Sequence, residues 1–121
     1  MKKKSRDYVI FLEDIFESAE KIENYTKGFT KENLIENQQT QDAVIRRFEI
    51  IGEAVKNIPA GFRKNHKEID WKNMAGMRNI LIHEYFGVNI NRIWKTIKEY
   101  IPDLKSKILK ILKESEKHKL L

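Results

Sequence analysis

Apolar residues recur along the chain at steps of three and four, and almost nowhere at the step of two that marks a strand. Over residues 5–27, Tyr8, Leu12, Ile15, Ala19 and Ile22 form one helical stripe, and Gly28 stands where that helix should stop. Thr30 is placed to cap a short turn through Leu34 and Ile35. Over residues 39–57, Val44, Phe48, Ile51, Val55 and Ile58 lie in a narrow stripe at about 100° per residue, with Asp42, Arg46, Glu49 and Glu53 opposite. Asp42 precedes Arg46 by four residues, the favourable order for a helical ion pair, although such a face is ordinarily just solvated. Gly52 within this helix costs roughly 1 kcal/mol relative to alanine, which a close helix crossing would offset. Residues 59–69 predict a connection with a short turn, after which Asp70 reads as the N-cap of a third long helix over 71–86, closed by Gly87. Residues 90–100 predict a fourth helix with Ile93, Trp94 and Ile97 inward. Pro102 suits the first turn of a fifth, whose buried stripe is Leu104, Ile108 and Ile111 and whose exposed face carries Lys105, Lys107, Lys110, Lys113, Lys117 and Lys119.

The expected fold is therefore all-α: a four-to-five-helix up-and-down bundle with short connections. Residues 1–121 are expected to be a single domain, with a lysine-rich C-terminal helix or tail from about residue 103. A chain of 121 residues supports one modest core. No apolar run is long enough for a membrane span. The basic start, Met-Lys-Lys-Lys-Ser-Arg, is followed by Asp7, Glu13, Asp14 and Glu17, so no signal peptide is expected. The absence of cysteine excludes disulfides, thiolate metal sites and a cysteine nucleophile, and fits a cytoplasmic location. A balance of 24 basic against 18 acidic residues gives +6, which suits a polyanion or an acidic protein partner and equally suits simple solubility.

Candidate chemistry concentrates in Met77-Arg78-Asn79-Ile80-Leu81-Ile82-His83-Glu84-Tyr85-Phe86-Gly87. On a helical wheel, Met74, Met77, Leu81 and Tyr85 face the core, while Asn79 and His83 point nearly the other way beside Gly76 and Ile80. Two faces withdrawn from solvent imply a second contact surface: a dimer seam, or cover from the fifth helix. His66 falls in a loop and His118 in the tail, so His83 is the one histidine placed in regular structure with polar company. A lone histidine there is ordinarily structural, and a lone helix arginine such as Arg78 is ordinarily a surface partner. The two are about 140° apart on an ideal helix, so a long arginine side chain, a helix distortion or a second subunit must bring them together. There is no His-Glu-x-x-His, no EF-hand loop, no glycine-rich phosphate loop and no Gly-x-Ser-x-Gly elbow, so neither a metal nor a cofactor is expected.

Arg78 to Tyr85 matches the Arg-x4-His-x-Tyr pattern, and the chain here resembles the HepT-like family of HEPN-domain ribonuclease toxins. The likeness extends to Gln41-Asp42-Ala43-Val44-Ile45-Arg46-Arg47, Ile51-Gly52-Glu53-Ala54, Trp71 with Met74, Gly76-Met77-Arg78-Asn79, and Tyr85-Phe86-Gly87-Val88 followed by Trp94-Lys95-Thr96-Ile97, covering roughly residues 5–104. The resemblance implies a helical homodimer that acts on RNA without a metal, as the toxin of a toxin–antitoxin pair whose antitoxin is a minimal nucleotidyltransferase. It implies Arg78 and His83 as catalytic residues and Tyr85 as the hydroxyl to which the antitoxin transfers AMP; Asn79, beside His83 on the wheel, and Glu53 are expected in support. The chemistry suits these residue types: histidine moves protons near neutrality, and arginine offers a fixed cation and planar donors to phosphate oxygens. Asn79 either orients the imidazole, binds phosphate, or makes only a helix contact. The competing reading is a non-catalytic helical partner that binds a nucleotidyltransferase or presents substrate to it. A DNA-binding helical protein is weaker, since no helix-turn-helix spacing or arginine-rich recognition helix is present.

Overall fold

The computed structural model describes residues 2–76 and 90–120, with side chains described over 8–76 and 90–114. Helix α1 spans Lys2–Tyr25, α2 Lys31–Glu36, α3 Gln38–Lys56 and α4 Ala60–Asn65. Helix α5 is described over residues 71–76. Helix α6, Ile90–Lys95, runs through a π-helical stretch, Thr96–Tyr100, directly into α7, Ile101–Leu120. Among the described residues there is no strand, as the three-and-four spacing predicts.

The long helices pack through the stripes their sequences announce. Helix α1 lies against both α3 and α7, and α2 against α3 and α6. Leu12, Ile15, Ala19 and Ile22 meet Val44, Phe48, Ile51 and Val55 in one core, which Leu104 and Ile108 enter from α7. Phe48 is fully buried, and its truncation to alanine at such a site costs about 3–5 kcal/mol. Tyr8, assigned inward, is only partly buried at the edge, where its ring lies 4.5 Å from that of Phe62.

Local signals set the helix ends. Helix α1 stops in a turn in which Thr26 Oγ1 donates to the Ile22 carbonyl at 2.9 Å, and Gly28 takes φ 76°, a left-handed backbone that glycine adopts without a Cβ clash. Thr30 then caps α2: its hydroxyl accepts from the Asn33 N–H at 3.1 Å, and Asn33 Oδ1 accepts from the Thr30 N–H at 2.9 Å. Gln41 is buried, yet its amide donates to the Leu34 and Ile35 carbonyls at 2.8 and 3.0 Å and so fastens the end of α2 to α3. Those carbonyls sit at the end of a short helix and need an external donor.

The structure amends three expectations. The connection over 59–69 contains a six-residue helix, α4. Pro102 does not open a separate helix. It sits in the first turn after the π stretch of a continuous helix, where the Ile101 N–H bonds the Thr96 carbonyl five residues back. Proline supplies no N–H and its ring crowds the carbonyl four residues earlier, so widening the preceding turn accommodates it without breaking the rod. Lys105 is not on the open face of α7; its Nζ lies 2.6 Å from Glu23 Oε1 on α1 and ties the two helices together.

Candidate active site

Arg78, Asn79, His83 and Tyr85 lie outside the described residues, as do Ile80 and the Gly87 helix stop. Of the residues expected at the site, Glu53 has a described place. It is exposed near the end of α3, where its backbone carbonyl accepts from Asn57 Nδ2 at 3.0 Å. What the structure defines is the anchorage of the motif segment at its two ends.

Upstream, Asp70 caps α5 as its sequence position predicts. Its Oδ1 accepts from the Asn73 N–H at 3.2 Å, its carbonyl accepts from the Met74 N–H at 3.1 Å, and the Asn73 amide donates to Oδ2. Trp71 is buried and its indole N–H donates to the His66 carbonyl at 2.8 Å, so the start of α5 is tied to the end of α4. Phe62 fills the angle between them, its ring 4.3 Å from His66 and 6.3 Å from Trp71. Met74, one turn into the helix, is fully buried.

Downstream, α6 leaves the motif at Ile90 and is pinned by the buried Ile93 and Ile97. Trp94, expected inward, is half-buried, with Lys98 Nζ 4.7 Å from its ring centroid in a cation–π contact. From the π stretch, the Tyr100 hydroxyl reaches the Asp70 carbonyl at 3.5 Å and so joins the two anchors. Burial, then the nearby carboxylates of Asp70 and Asp103, pushes the Tyr100 phenol above its ordinary value. It is therefore a neutral donor at physiological pH.

An open groove runs along the upstream anchor, between α4, the loop over 66–70 and α5. Arg63, Lys64, Lys67 and Lys72 line it together with Glu68 and Asp70. The sequence reading did not single out these cations; their signal was four basic residues within ten positions, crossing a predicted connection into the motif helix. Among the described residues no group of three or more histidine or acidic side chains is placed to hold a metal ion.

A family model described as "Ribonuclease HepT-like" matches residues 15–111, most of the chain and the whole of the motif segment. The chain belongs to the HepT-like ribonuclease family. It is 51% identical over 113 residues to a Thermococcus cleftensis protein named "Probable ribonuclease HepT", covering 93% of this chain and 100% of that one. It is 45% identical over 111 residues to "Putative RNase MJ1216" of Methanocaldococcus jannaschii, covering 92% of each. A second protein of that archaeon, "Gamma-glutamylcyclotransferase and putative RNase MJ0434", is 50% identical over 114 residues; the match takes in 94% of this chain but 51% of the larger protein. This HepT-like chain thus spans about half of one relative and nearly all of the other two. No solved structure matches it.

Proposed function

We propose that this HepT-like protein is a metal-independent endoribonuclease, the toxin of a toxin–antitoxin pair. The observation that carries the reading is the intact Arg-x4-His-x-Tyr set at Arg78, His83 and Tyr85, inside a chain that belongs to the HepT-like ribonuclease family. His83 takes the proton of a 2′-hydroxyl, O2′ attacks the adjacent phosphorus, and the P–O5′ bond breaks. The departing 5′-oxygen takes up a proton, leaving a 2′,3′-cyclic phosphate and a 5′-hydroxyl. Arg78 stabilises the charge that builds on the non-bridging oxygens, the work a metal ion does in other nucleases. Asn79 and Glu53 support the pair, and two copies of the chain complete the site across a two-fold seam through Gly76, Asn79, Ile80 and His83. Residues 1–121 act as one domain.

The partner is a small nucleotidyltransferase that transfers AMP from ATP to the Tyr85 hydroxyl and releases pyrophosphate. Tyr85 lies seven residues from Arg78, close to two helical turns, so the two fall on nearly one line of a helix. The added phosphate then competes with RNA for Arg78. Both proteins work in the cytoplasm, where the RNA is; among the described residues no helix is long and apolar enough to cross a membrane. The test is incubation of purified protein with RNA in excess EDTA, with end-group analysis. Cleavage leaving cyclic phosphates is expected, and a strict Mg²⁺ requirement with 5′-phosphate products would contradict the mechanism.

A further inference from the structure

We infer that the groove between α4 and α5 is the track along which the backbone of single-stranded RNA runs toward the motif helix. The inference rests on the ribonuclease reading above and adds where the substrate is held. Four cations, Arg63, Lys64, Lys67 and Lys72, face two acids, Glu68 and Asp70. Both acids are engaged within the protein. Asp70 caps α5 through Asn73, and Glu68 Oε1 lies 3.4 Å from His66 Nδ1. None of the four cations has an ion-pair partner among the described residues.

Four basic side chains elsewhere are matched within the protein: Lys105 meets Glu23, Lys107 meets Asp103, Lys21 meets Glu17 and Arg46 meets Glu49. Among the described residues no carboxylate pairs with the four cations, so an outside anion meets a net positive surface in the groove. Arg63 adds a second, independent sign. Its Nε is enclosed without a hydrogen-bond partner. The base of the guanidinium is therefore fixed by packing at the groove wall, and no carboxylate among the described residues pairs with it.

A row of phosphates fits better than a compact anion. The cations are spread along an open groove from α4, through the loop, to the first turn of α5, which in sequence shortly precedes Arg78 and His83. Ala75, which lines the groove, is three residues before Arg78, so a strand bound in the groove lies against the chain immediately upstream of the motif.

The test uses the full chain carrying His83→Ala, so that RNA is bound but not cut. The probe is a fluorescently labelled single-stranded RNA oligonucleotide, followed by anisotropy at several salt concentrations. The added triple variant Lys64→Gln, Lys67→Gln, Lys72→Gln changes three exposed side chains and is expected to melt like its parent. Losing three phosphate contacts should weaken binding by about tenfold or more and lower the slope of log affinity against log salt by about 2. The control Lys110→Gln, Lys113→Gln, which removes the same kind of charge from α7, should leave affinity unchanged. Equal loss in the triple variant and the control would reduce the groove to general charge and overturn the inference, as would an unchanged affinity in the triple variant. RNA binding intact with loss of binding to the purified nucleotidyltransferase would make the groove a protein dock and overturn it too. Parent protein that binds RNA through the groove, while the protein with His83 intact cuts nothing, keeps the inference and rejects the ribonuclease reading instead.

Discussion

At the scale of single residues, the proposed chemistry rests on Arg78 and His83, and substitution there separates a chemical role from a structural one. On the wheel His83 lies opposite the inward stripe of Met74, Met77 and Leu81, while Arg78 falls at its edge on the line of Tyr85, from which a long side chain reaches outward. His83→Ala and Arg78→Ala should each abolish RNA cleavage while helicity and melting temperature stay nearly those of the parent. Unfolding of either variant, or cleavage by both, would make these residues structural. Tyr85→Phe should keep some cleavage yet take no AMP from the nucleotidyltransferase, which mass spectrometry of the peptide containing residue 85 reads directly. Tyr100 makes a prediction of the opposite kind. Its folded-state pKa is raised above the ordinary 10.0, so the unfolded chain releases that proton first. Its contribution to stability is complete below pH 10 and is lost as pH rises above it. Urea midpoints measured from pH 8 to 11 should fall more steeply for the parent than for Tyr100→Phe; equal slopes would mean that the phenol is not held in its neutral form by the fold.

At the scale of elements, the important one is α5, because the motif follows directly from it. Asp70 anchors its first turn, so Asp70→Ala should cost about 1 kcal/mol in chemical denaturation, and Asp70→Asn, which keeps an accepting oxygen, should recover most of it. Much of this level was legible from the chain. Leu12, Ile15 and Ile22, Val44 and Phe48, and Leu104 and Ile108 are buried as their period requires, because a stripe repeated over several turns allows one inward face. The caps at Thr30 and Asp70 were readable for the same reason: an N-cap is written in one side chain and the next three positions. What escaped was decided by contacts distant in sequence or by elements too short to show a period. Pro102 reads equally well as a helix start or as the cause of a widened turn, and only packing on both sides of Thr96–Tyr100 selects the second. Helix α4 has six residues, less than two turns, so Arg63 and Lys64 gave no stripe to read. Lys105 looked like its exposed neighbours because the proximity of Glu23 belongs to the tertiary fold. The candidate site was legible through the motif alone: helical spacing by itself set Arg78 and His83 apart.

At the scale of the whole molecule, the proposed site needs two copies of the chain. Light scattering at micromolar concentration should give a dimer, and Ile80→Glu should split it and abolish cleavage together; a fully active monomer would count decisively against the shared site. In the proposed reading the charge of +6 serves RNA binding, since the four cations of the α4–α5 groove have no ion-pair partner among the described residues and stand shortly before the motif in sequence. The proposed toxin role adds that expression of this chain alone should arrest growth, and that co-expression with the proposed nucleotidyltransferase partner should relieve the arrest. The decisive measurement is the end chemistry of RNA cut by the purified protein in excess EDTA, with His83→Ala run beside it. Cleavage that leaves 2′,3′-cyclic phosphates and 5′-hydroxyls, and that vanishes with His83→Ala, is the expected result; no cleavage until Mg²⁺ is added, or the same products from His83→Ala, would contradict it.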